Sequence, residues 1–126
     1  MTFDWADFLK LAEGLLRDPN SLGPAEASLR SAISRAYYAA FHAALRLECA
    51  KGGYASGGYG TDHVTLPRHL QASTDVARRQ VGVDLDRLRL NRRQADYDDT
   101  LKGEPTALAQ SSVEVAKELL SSLDTM

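Results

Sequence analysis

The sequence predicts an all-α fold, an antiparallel up-and-down bundle of four to five helices. Three observations carry this. Ala25 to Lys51 contains neither Gly nor Pro, a run of helical residues about 40 Å long at 1.5 Å per residue. Apolar residues elsewhere recur at intervals of three and four, the spacing of a helix face. The one strand-like alternation, Val81-Gly82-Val83-Asp84-Leu85, has no partner segment and is rejected as a strand.

The first helix is expected to start after Thr2 as N-cap. Phe3, Phe8, Leu11 and Leu15 form its stripe, widened by Trp5, Leu9 and Leu16. Asp4 and Asp7 suit the positive end of its dipole, and Asp18-Pro19-Asn20 ends it. Pro24 suits the first turn of the second helix, which Gly52-Gly53 stops. Residues 52–60 read GGYASGGYG, with five glycines in nine, and predict a flexible loop over 52–61. Tyr54 and Tyr59 could stack on bases there, but the composition favours a plain linker.

A short helix is expected within Asp62–Leu70, broken or started near Pro67. The third major helix is read from Asp84 to about Tyr97, with Leu85, Leu88, Arg92 and Ala95 on one face. The last opens at Glu104-Pro105. Its stripe is Leu108, Val115, Leu119 and Leu123, with Val113 and Ala116 at the margin.

A chain of 126 residues fits one domain, residues 1–126. Its 15 Lys+Arg against 17 Asp+Glu, 44% hydrophobic and 25% charged residues exclude wholesale disorder and a generic nucleic-acid-coating protein. The charge is uneven. Seven Arg at 68, 78, 79, 87, 89, 92 and 93 face only Asp75, Asp84 and Asp86 over that stretch. A solvated helix face is favoured over a polyanion site on charge alone. The lone Cys49 excludes an internal disulfide and is read as a small core residue. The acidic start and the lack of an apolar run of about 20 residues predict a cytoplasmic protein with no membrane span.

The second helix is apolar around most of its circumference, through Leu29, Ile33, Ala36, Tyr37, Ala40, Phe41, Ala44 and Leu47, and is expected at the centre. A polar seam of Ser28, Ser31, Arg35, Tyr38 and His42 runs along it at spacings of 3, 4, 3 and 4. Arg92 continues the stripe of the third major helix, and Asp96 lies one turn on. A charge on an apolar face must find partners, so Arg92 should meet Asp96 or the seam. Arg35 and His42 are about 10 Å apart along the axis and need a bridging group or anion between them. The residues expected to share a cleft are Arg35, Tyr38, His42, Arg92 and Asp96. The same arrangement could instead be a polar network that fixes the bundle. His63 and His69 show no metal spacing and are read as a surface pair. No metal site, phosphate loop or serine triad is expected.

Residues Glu26 to Ala44, EASLRSAISRAYYAAFHAA, resemble the central helix of HEPN-domain proteins. Arg92-Arg93-Gln94-Ala95-Asp96-Tyr97 resembles the R-x-x-A-D-Y element of the same branch, and the likeness spans roughly residues 5–122. The resemblance implies a helical bundle that pairs as a homodimer. Many members are metal-independent RNases or toxins, often encoded beside a small nucleotidyltransferase that neutralises them. The family signature is Arg, four to six residues, then His, on a late helix. Here no His follows Arg92 or Arg93, and Asp96 and Tyr97 stand in its place; Arg35 and His42 have the spacing, on an earlier helix.

On this resemblance, His42 is the expected proton-transfer group and Arg35 and Arg92 the phosphate clamp. Tyr38, Asp96, Tyr97 and Arg93 are the expected binding residues, and no cofactor is expected. Three functions remain open: a toxin-type RNase, a non-catalytic RNA- or nucleotide-binding module, and an interaction subunit for a nucleotidyltransferase.

Overall fold

The computed structural model describes residues 2–58 and 60–126. Among them there are five helices and no strand: α1 (Asp7–Arg17), α2 (Ala25–Lys51), α3 (Asp62–Gln71), α4 (Val76–Tyr97) and α5 (Pro105–Asp124). The expected all-α bundle is therefore what the chain forms. No described helix is long and apolar enough to cross a membrane.

α2 lies at the centre and packs against α1, α4 and α5. Ala32, Ala36, Ala39, Ala40 and Ala44 are wholly buried along it, and such small side chains let neighbouring helices approach closely. Tyr37 and Ile33 are fully buried between them. α2 and α4 run antiparallel, because contacts join opposite ends. Arg30, early in α2, donates to the carbonyls of Ala95, Asp98 and Asp99 at the end of α4. Glu48, late in α2, pairs with Arg78 at the start of α4. Arg30 thus satisfies orphan carbonyls where α4 stops.

Several boundaries differ from the sequence reading. α1 starts at Asp7, not after Thr2. The Asp4 carboxylate accepts from the Ala6 N–H and its carbonyl from the Asp7 N–H, so a turn occupies residues 4–6 and carries Phe3 and Trp5 off the helical stripe. α3 is one helix that continues through Pro67. The bond lost is only that to His63, within the first turn, and Pro67 is buried.

α4 begins eight residues before Asp84, capped by Asp75, whose carboxylate accepts from the Ala77 N–H. Gly82 is within it because α3 crosses there. A Cβ on Gly82 would sit 2.8 Å from the Pro67 carbonyl oxygen, so close approach outweighs helix propensity. On α5 the buried face is Ala109, Ser112, Val113, Ala116, Leu119 and Leu123. Val113 and Ala116 are central and Leu108 and Val115 marginal, the reverse of the expectation. Cys49 is exposed rather than in the core.

Much of the Arg-rich stretch serves the fold. Arg78 holds Glu48 and Ser73, Arg79 binds the Ser73 and Thr74 carbonyls, Arg87 reaches Ser111 and Arg89 pairs with Asp86.

Candidate functional site

The seam of α2 meets α4 around Arg92. The Arg92 side chain is about nine-tenths buried, and its Nε has no hydrogen-bond partner among the described residues. Its Nη1 lies 3.7 Å from Asp96 Oδ2, a long ion pair one helical turn away. Aromatic faces supply the rest of its surroundings. The guanidinium carbon is 5.2 Å from the Tyr37 ring centre, 5.6 Å from Tyr38 and 6.0 Å from Tyr97. Such cation–π contacts stabilise a desolvated guanidinium without consuming its N–H donors.

Asp96 links this group to Arg35. Ser34 donates to Asp96 Oδ2 at 3.3 Å and accepts from Arg35 at 3.3 Å. Arg35 lies between two aromatic faces, 4.8 Å from Phe8 and 5.0 Å from Tyr38. His42, one turn beyond Tyr38, stacks on Trp5 with ring centres 3.5 Å apart and planes 16° from parallel. Arg35, Tyr38, Arg92 and Asp96 therefore adjoin one another, and His42 joins them through Tyr38. Tyr97 lies exposed at the edge. Arg93 does not join them; it is exposed and lines a shallow depression with Leu90, Gln94, Tyr97, Asp98 and Lys102.

The structure adds a residue that the sequence reading placed elsewhere. His63 is half-buried rather than on the surface. Its Nδ1 is hydrogen-bonded to the Tyr37 hydroxyl, and its ring stacks on Phe41 at 4.2 Å. A periodicity signal was present. His63, Leu66, Pro67 and Leu70 stand at i, i+3, i+4 and i+7, the buried face of α3. His69 is also engaged, with Glu48 and the Gly52 carbonyl.

Burial and neighbouring charge act on His63 and His42 in the same direction. Burial, then the Arg92 charge, lowers the His63 pKa below its ordinary 6.5, against a smaller upward pull from Asp62. Burial, then His63 and Arg46, lowers that of His42. Burial raises the Tyr37 pKa well above its ordinary value, so its hydroxyl stays protonated.

Asp62 ties the Gly-rich loop to this region. It accepts from Tyr54 (2.6 Å), from Ser56 and from the Gly57 N–H (2.8 Å). Burial pushes its pKa up, but these donors outweigh that and hold it below the ordinary value. Tyr59, the other tyrosine read as able to stack on a base, lies outside the described residues. A groove of about 440 Å³ opens between the loop and α2, lined by Tyr38, Phe41, His42, Asp62 and His63 among others. On the far side of Arg35 and Asp96 a second groove, about 820 Å³, runs between α1 and α2. Among the described residues no three His, Cys, Asp or Glu side chains gather as a metal-ligand set.

Comparison with known protein families, with curated proteins and with solved structures finds no match to this chain.

Proposed function

We propose that this protein is a HEPN-like RNA- or nucleotide-binding protein that holds a phosphate at Arg92 and Arg35, and that it cleaves RNA without a metal ion as a toxin-type RNase. The observation that carries the reading is Arg92: a buried guanidinium with an unpaired Nε, a distant carboxylate and a neutral imidazole close by. An unsatisfied buried donor is unfavourable in a purely structural role, and an anion would complete it.

His63 is better placed than His42 for proton transfer. With the His63 Nδ1–H donating to the Tyr37 hydroxyl oxygen, Nε2 is the unprotonated ring nitrogen, and Arg92 disfavours the charged form. A neutral imidazole can take the proton of an RNA 2'-hydroxyl as that oxygen attacks the adjacent phosphorus. Arg92 offsets the charge on the five-coordinate phosphorane. The P–O5' bond then breaks, and the imidazolium returns its proton to the leaving oxygen. The products are a 2',3'-cyclic phosphate and a 5'-hydroxyl.

The test is incubation with single-stranded RNA in excess EDTA. Cleavage that His63→Gln and Arg92→Met both abolish supports the RNase. Salt-sensitive binding without cleavage reduces the reading to a binding module, and absence of both rejects it.

One observation favours a protein partner as well. Val76, Val83, Leu90 and Tyr97 are each more than half exposed and recur every seven residues, an apolar stripe along α4. It supports pairing with a second copy of the chain. A small nucleotidyltransferase is the alternative occupant, with the protein then acting as its interaction subunit. Sedimentation as a dimer, lost in Leu90→Glu, separates the first from the second.

A further inference from the structure

We propose that the gap between Tyr38 and His42 is a nucleobase slot, and that it takes the base whose phosphate lies on Arg92 and Arg35. This deepens the phosphate reading and rests on it.

Five planar groups cluster along one side of α2, and Trp5 and Phe8 close the cluster with ring centres 5.6 Å apart. Trp5 covers one face of His42 at 3.5 Å, a full stacking contact. Tyr38 follows His42. Arg35 lies over Tyr38 at 5.0 Å, and Phe8 lies under Arg35 at 4.8 Å. The interval between Tyr38 and His42 differs. Their ring centres are 6.2 Å apart, with the planes 26° from parallel. One inserted aromatic layer needs two stacking steps of about 3.4 Å each. The interval is thus close to one base thickness and widens to it by a small rotation of either ring.

Helix geometry produces the gap. Residues i and i+4 are separated by about 6 Å along the axis, so two rings on that spacing lie near parallel in loose contact, as Tyr38 and His42 do. Both rings border the 440 Å³ groove, so the interval is open to a ligand from that side. Phe41 and His63, stacked on each other, and Ser56 and Asp62 line the same groove, which offers polar partners to the edge of a base. Aromatic faces on both sides with a cationic group one residue-step away suit a base joined to a phosphate. An aliphatic side chain would gain nothing from the stack.

The test uses the whole protein and the single tryptophan, Trp5, as a fluorescence reporter of the His42 stack. Inorganic phosphate, ribose 5-phosphate and AMP are titrated in parallel by calorimetry and fluorescence. AMP is expected to bind about 5- to 150-fold more tightly than ribose 5-phosphate, the range one base–aromatic stack supplies. Only AMP should change Trp5 emission. Tyr38→Ala and His42→Ala should each bring the AMP to ribose 5-phosphate ratio towards one, whereas Tyr38→Phe keeps it; helicity by circular dichroism checks each fold.

An octaadenylate that binds more tightly than AMP supports the slot as part of an RNA site, and equal affinity supports it as a mononucleotide site. Equal affinity of the wild-type protein for AMP and ribose 5-phosphate overturns the slot and leaves the phosphate reading intact. Failure of all three small ligands to bind overturns both.

Discussion

Two buried polar clusters bridge α2 and α4, one at the end of α2 and one near its middle, and they are put together in opposite ways. At the end of α2 Glu48 is the buried member, with 3% of its side chain exposed, and its partners Arg78 and His69 reach it from the rim at 26% and 29%. Arg78 also binds Ser73, and His69 also meets the Gly52 carbonyl. A Cβ at Gly52 would push the Glu48 carboxylate out of place between Arg78 and His69. In the other cluster the cation is buried, Arg92 at 10%, and its carboxylate Asp96 stands at 30%. One cluster closes a helix end on itself. The other keeps a charged donor out of water with its partner held at a distance. A buried charge whose partners are in place is costly to break, whereas one left partly unpaired is what the proposed anion site requires.

Removing the carboxylate is expected to have the largest effect. Glu48→Ala leaves Arg78 and His69 without their shared acceptor and should lower unfolding stability by about 2–4 kcal/mol in urea titration. Phosphate affinity should stay within about twofold, since the Arg92 cluster meets α2 at Ser34–Tyr38, about 15 Å along the helix from Glu48. A stability loss under about 0.5 kcal/mol would break the contrast between the two clusters.

Arg92→Met should do the reverse. An apolar side chain of similar reach removes a poorly paired buried charge, so stability should hold or rise by up to about 2 kcal/mol. Phosphate or nucleotide affinity should fall about 10-fold or more in calorimetry. If Arg92→Met instead unfolds the bundle, the Arg92 cluster is structural, like that of Glu48.

Acidification acts at the proposed ligand site. His63 and His42 titrate below 6.5 in the folded protein, so the unfolded chain takes up protons first as pH falls. Stability should therefore be complete above pH 6.5 and decline below it, down to the folded pKa values. Melting temperatures from pH 8 to pH 5 should show this decline, and the double variant His42→Gln, His63→Gln should lose it.

The smallest effect belongs to Asp96→Asn. A long, partly exposed ion pair contributes little, so stability should change by less than about 0.5 kcal/mol. With the competing charge gone, Arg92 should bind phosphate a few-fold more tightly, and weaker binding would show that Asp96 instead orients the guanidinium.

Local rules carry the helices. Pro24, Gly52 and Pro105 mark boundaries that the structure keeps, because caps and breakers act within a few residues. The burial of Tyr37 and Phe41 was legible from periodicity for the same reason. The extent of α4 was not. Gly82 argues against a helix in the sequence, and only the crossing of α3 at Pro67 explains its presence.

The site divides in the same way. Arg35, Tyr38 and His42 could be placed on one face, and Arg92 and Asp96 on another, because each set lies within one helix. That Trp5 covers His42, and that His63 reaches Tyr37, 26 residues away, depends on how a turn at residues 4–6 and the helix after the Gly-rich loop return to α2. Sequence by itself determined five helical segments and which faces are apolar, since those follow from backbone sterics and a period of 3.6 residues. Tertiary packing decided which charge is buried unpaired and which ring meets which, since desolvation and stacking exist only once separate helices are in contact.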